Sequence, residues 1–90
     1  MADQLWVARL RISRATAHKI ATRHGLQAAE VREAVERVRG LRFSWDDDRE
    51  RGRRAIVETF IRGHRVAVVL YPVNEPIEDE YNLGSAYHIP

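Results

Sequence analysis

The chain has 90 residues, 44% hydrophobic and 31% charged, with a formal net charge of +2. That length predicts one folding unit over residues 1–90 with a modest core. The lack of cysteine excludes disulfides, thiolate metal sites and thiol catalysis, and with neither a membrane-length apolar run nor a signal-like opening, a cytoplasmic protein without membrane contact is expected.

The first element is "LWVARLRIS", residues 5–13. Its alternation predicts a half-buried strand with Trp6, Ala8, Leu10 and Ile12 on one side and Arg9 and Arg11 on the other. Ser13 stands at an N-cap position before "RATAHKIATRHG", a helix with Ala17, Ile20 and Ala21 on its inner side and Gly25 as its stop. "AAEVREAVERVRG" predicts a second helix with Val31, Ala34, Val35 and Val38 inward, running to Gly40. "LRFSWD" alternates Leu41, Phe43 and Trp45 against Arg42 and Ser44, and "DDRERG" reads as a polar connection.

"RRAIVETFIRGHRVAVVLYPV", residues 53–73, holds two apolar runs joined at a glycine turn. With Gly63 and His64 central, a type II′ turn follows, pairing Arg62 with Arg65 and Phe60 with Ala67. Ala55, Val57, Ile61, Val66, Val68 and Leu70 then form the apolar side, which must lie beneath the helices. The loop "NEPIEDE" and a final strand "YNLGSAYHI" complete the order β-α-α-β-β-β-β, an α+β fold with both helices on one face of an antiparallel sheet.

Charge is unevenly spread along this order. All fifteen cations, fourteen of them arginine, fall in residues 1–65, where nine carboxylates leave a net of +6. Residues 66–90 carry only Glu75, Glu78, Asp79 and Glu80, a net of −4. The in/out alternation sends Arg9, Arg11, Arg42, Arg54, Arg62 and Arg65 to the uncovered face, with Tyr71 among them and Glu58 as the main offset. Converging guanidinium groups are suited to phosphates, which they fork bidentately. Repulsion between Arg62 and Arg65 at the turn would then be tolerated for the sake of a polyanion. The competing reading is a solvated polar face in an arginine-biased chain.

"HKIATRHGLQAAEV" and "RGRRAIVETFIRGHRVAVVLY" together resemble the RelE/ParE superfamily of bacterial toxins, most nearly its short BrnT-type members. The first is a helix ending in basic-His-Gly-apolar before a second helix. In the second, Gly-Arg leads into a strand, a glycine turn and a Val-rich strand. The resemblance spans about residues 5–89. It implies the toxin of a type II toxin–antitoxin system: a metal-independent endoribonuclease of RelE-like fold, needing no cofactor and held inactive by a cognate antitoxin. RNA, including ribosome-associated mRNA, would be its substrate. Either a homodimer or a toxin–antitoxin hetero-oligomer is compatible with it. The first strand here reads "LWVARLRIS" where several BrnT-type sequences have an aromatic-Trp-Asp element, and "YNLGSAYHIP" lacks the arginine they carry in the last strand.

Cleavage of this kind needs a base for the 2′-hydroxyl, a cation for the phosphorane and an acid for the leaving oxygen. Arg54 and Arg65 are the expected cations, with Arg53 as neighbour to Arg54. Tyr71, Tyr81, Tyr87 and His88 are the acid or base candidates. Arg9, Arg11, Arg42, Arg53, Arg62 and His64 are expected to hold the nucleic acid. His18 and His24 are six residues apart, not at the i, i+4 spacing of a helical metal pair, and "DDD" lacks the alternating ligands of a calcium loop, so no metal is expected. Two rival readings remain. "KIATRHGLQAAEVREAV" followed by a hairpin fits a winged helix-turn-helix DNA-binding protein. A non-catalytic module that inhibits a protein partner also fits, with the acidic "EPIEDE" loop as a contact for a basic surface.

Overall fold

A computed structural model of the protein describes residues 4–73 and 79–90. In chain order these form β1 (Arg9–Arg11), α1 (Arg14–His24), α2 (Ala28–Val35), β2 (Arg42–Asp48), β3 (Gly52–Ile61), β4 (His64–Pro72) and β5 (Glu80–His88). The element order is the expected one. The acidic loop at 74–78, and with it the expected contact through "EPIEDE", lies outside the described residues.

The five strands make one sheet in the order β1-β5-β4-β3-β2. It is mixed rather than purely antiparallel, because β1 runs parallel to β5. The helical segment carries the chain to the far edge, and the β2–β5 meander returns it beside β1 in the same direction. Both helices cover one face. Ile20 from α1 and Val31 and Val35 from α2 pack with Leu10, Ala55, Val57, Val66, Val68, Leu70, Leu83 and Ala86 in one buried cluster.

Local signals fix the helix starts. The Ser13 hydroxyl accepts from the Thr16 N–H at 3.1 Å, an N-cap that satisfies one orphan donor of α1. α2 ends at Val35 instead of continuing to Gly40. Val7 forms an isolated bridge with Glu36, and Arg37, at φ 58°, donates its N–H to the Val7 carbonyl at 2.7 Å. A tertiary strand contact thus takes the backbone that local periodicity assigns to helix, and Val38 falls outside α2. β1 itself is confined to three residues. Upstream of it Leu5 and Val7 are buried while Trp6 is exposed, the reverse of the expected phase.

The hairpin turn is also displaced. Ile61 pairs with His64, so Arg62 and Gly63 are its central residues, at φ 51° and 78°. Two left-handed residues make a type I′ turn, with glycine second. Arg62 accepts that conformation while its guanidinium binds Glu30 at 2.8 Å and the Gly25 carbonyl at 2.9 Å. Phe60 therefore pairs with Arg65 and Glu58 with Ala67. The pairing register shifts by two residues, a full side-chain period, which preserves every side-chain face.

Candidate nucleic-acid interface

The helix-free face can be read from the strand registers. β3 and β4 contribute Arg54, Ile56, Glu58, Phe60, Arg65, Ala67, Val69 and Tyr71. β2 adds Arg42, Ser44, Asp46 and Asp48, while β1 and β5 add Arg9, Arg11, Glu80, Asn82, Ser85 and Tyr87. Five of the six expected arginines share this face. Arg62 does not, since the turn directs it to α2 and the end of α1.

These arginines are mostly paired. Arg11 binds Glu80, whose side chain is only 2% exposed. Arg65 binds Glu58, and that bond, with the Arg65 charge and a lesser effect of Arg42, lowers the Glu58 pKa. Arg54 forks Asp46 through Nε at 2.8 Å and Nη2 at 2.7 Å. Glu58 is therefore one of four carboxylates among the described residues of this face, with Asp46, Asp48 and Glu80. The expectation that Glu58 is the main offset is corrected. The sequence reading missed Asp48 by treating "DDRERG" as connection and gave Asp46, the last residue of "LRFSWD", no place on the face, although both continue the phase of Arg42 and Ser44.

The densest chemistry surrounds Tyr71. Its hydroxyl donates to Asp48 Oδ2 at 2.8 Å and accepts from Arg54 Nη1 at 3.4 Å. The Glu50 backbone N–H and the Tyr71 hydroxyl lower the Asp48 pKa, and Tyr71 and Asp46 raise that of Arg54. The carboxylate and guanidinium are thus held ionised on either side of one phenol. Arg51 lies over the Tyr71 ring at 3.8 Å from its centroid, a cation–π contact. The ring also packs against Gly84, where an added Cβ would clash with Tyr71 Cε2 and Cδ2.

The other expected site residues stand apart from this cluster. Arg65 is six residues from Tyr71 along β4, roughly 20 Å at strand rise. Arg54 and Arg65 thus cannot close on the same phosphate. Tyr87 pairs with Ala67, about four residues or 13 Å from Tyr71. His88 points to the helix side, where its Nε2 lies 3.0 Å from the His24 carbonyl oxygen and its ring meets His64 edge-on at 5.9 Å. Arg53 alternates out of phase with Arg54 and covers Trp45 at 3.9 Å on the helix side. Tyr81 is a core residue whose pKa is raised by burial, with Asp79 adding to the effect. The expected constellation of Arg54, Arg65, Tyr71, Tyr87 and His88 therefore reduces to Arg54 and Tyr71, joined by Asp46, Asp48 and Arg51. His64, Arg62 and Arg53 do not share the open face with them.

Phe60 is a further residue the sequence reading passed over. It is 66% exposed directly opposite Arg65, where a base could stack. Among the described residues no group of three or more His, Cys, Asp or Glu is arranged to hold a metal ion. No described helix is long and apolar enough to cross a membrane. No family model, curated protein or solved structure matches the chain.

Proposed function

We propose that the protein is a toxin-type, RNA-directed domain that acts in the cytoplasm as a metal-independent endoribonuclease, restrained by an antitoxin. The observation that carries this reading is the Arg54–Tyr71–Asp48 relay on a sheet face free of helices. The 2′-oxygen attacks the adjacent phosphorus and the bond to the 5′-oxygen breaks. Asp48 draws the 2′-hydroxyl proton through the Tyr71 oxygen, the departing 5′-oxygen takes a proton from solvent water, and Arg54 and Arg51 face the phosphorane charge. Arg9, Arg42 and Arg65 hold the strand on either side, with Phe60 as a stacking platform. The products are a 2′,3′-cyclic phosphate and a 5′-hydroxyl.

The test is incubation of the protein with single-stranded RNA in the presence of chelator. Cleavage should persist there, fall about 10²–10³-fold in Tyr71→Phe and Arg54→Ala, and change little in His88→Ala. Arg65→Ala should weaken RNA binding more than turnover. Absence of both cleavage and RNA binding, with no growth arrest on expression, would overturn the proposal.

A second reading is favoured by one observation. Tyr71 is only 8% exposed and its hydroxyl is already engaged on both sides, as in a purely stabilising network. On that reading the face binds RNA or a protein partner without cutting, and Tyr71→Phe leaves binding unchanged. The winged-helix reading has less support. α2 buries Val31 and Val35 against the sheet and carries Glu30 and Glu33, charges that phosphates repel.

A further inference from the structure

The two edges of the sheet are built differently. On β1 both outward backbone groups of Leu10 are occupied: its N–H donates to Glu36 Oε2 at 2.9 Å and its carbonyl accepts from Arg32 Nη1. Beyond β1, the uncovered half of β5 gives its Gly84 carbonyl to Lys19 at 3.3 Å. Along β2, among the described residues, no side chain or loop bonds the backbone groups that face away from β3. A strand edge left in that state is a template for another strand.

The side chains of β2 indicate which strand fits. Its central run is Arg42-Phe43-Ser44-Trp45-Asp46, cationic at one end and anionic at the other. Antiparallel pairing with the same run of a second copy, centred on Ser44, sets Arg42 opposite the partner's Asp46 and Phe43 opposite the partner's Trp45. Each pair occurs twice by symmetry, and opposite charges and aromatic pairs are both favourable cross-strand neighbours. Centring on Trp45 instead would keep Arg42 against the partner's Asp48 but set the aromatic Phe43 against the partner's Asp47, and centring on Phe43 would leave Arg42 against the partner's Ser44. Phe43 and Trp45 are half-buried and already meet edge-on at 5.8 Å, giving the edge a preformed aromatic side.

We propose that β2 is a self-pairing edge through which two copies of this chain form an isologous dimer. The two-fold axis passes midway between Ser44 and its counterpart in the second copy, along the sheet normal. Five strands from each copy then form one continuous sheet, and the two open faces lie on the same side. The arginine-bearing surface is thereby doubled and the Tyr71 ring stays uncovered, while Asp46, on the edge strand itself, faces both Arg54 and the partner's Arg42. This dimer does not depend on RNA cleavage.

Light scattering coupled to size exclusion over a concentration series tests it, with circular dichroism to confirm that each variant is folded. The wild-type protein should weigh twice one chain. Arg42→Asp and Asp46→Arg each place like charges opposite each other twice and should each halve the mass. An equimolar mixture of the two variants restores both ion pairs and should return to the dimer mass. A monomeric wild type at every concentration, dimeric single variants, or a monomeric mixture of folded variants would overturn the proposal. Should Asp46→Arg fail to fold through loss of its Arg54 pair, amide exchange of wild-type β2 decides the question. Its outward amides should slow about tenfold as concentration rises, and exchange independent of concentration would overturn the dimer.

Discussion

Tyr71 joins packing to chemistry. Its ring touches both the Arg51 guanidinium and Gly84, and its hydroxyl is held between Arg54 and Asp48. Gly84→Ala would drive a methyl group into a ring that is nearly buried. Such overpacking costs about 1–3 kcal/mol, read as a lower denaturation midpoint. In a Tyr71→Ala background the same change should cost far less, because the two positions are coupled by contact. Equal costs in both backgrounds would show that the ring does not rest on Gly84. Arg54 and Tyr71 were legible because strand alternation puts both on the open face. Their partners Asp46 and Asp48 were not, because three successive aspartates resemble a loop until β3 is seen paired beside them. Gly84 has no local signature either, since its necessity comes from a ring on the neighbouring strand.

Among the elements, β1 is the shortest and the most dependent on side chains. Three residues paired to β5 on one edge are secured on the other by Arg32 and Glu36, four residues apart on α2 and its C-cap. The Glu36 pKa lies below its ordinary value of 4.5, chiefly through the Leu10 N–H, with Arg32 assisting against the opposing effect of burial. A depressed carboxylate contributes stability above its unfolded pKa and loses it as pH falls through the folded one. Glu36→Gln should therefore destabilise the protein at neutral pH by about 1.5–3 kcal/mol, the worth of a charged hydrogen bond. The gap to wild type should close as pH falls below 4.5. A gap constant with pH would mean that the charge is not what holds the strand. Ser13 and Gly25 mark the ends of α1 in the sequence as they do in the fold. The end of α2 was not legible, because periodicity ran on to Val38 while a contact with Val7, far away in the chain, ended the helix.

At the scale of the whole molecule the open face is a mosaic of ion pairs and not a field of free cations. If the face binds RNA as proposed, that binding should be moderate in its salt dependence, equivalent to about two or three phosphates, a log–log slope of roughly −2. Arg9, which has no bonded carboxylate among the described residues, should account for one of these, so Arg9→Ala should reduce the slope by about 0.7. A much steeper slope would show that the carboxylates give way to RNA. The sequence by itself determined the order of elements, the buried faces of β2, β3 and β4 and the side on which five of the six expected arginines emerge. These follow from periodicities of two and 3.6 residues, which are properties of the local backbone. Only the tertiary structure decided which arginines are neutralised, where α2 stops and which sheet edge stays open. Those features depend on side chains brought together from distant parts of the chain, and local spacing carries no record of such partners.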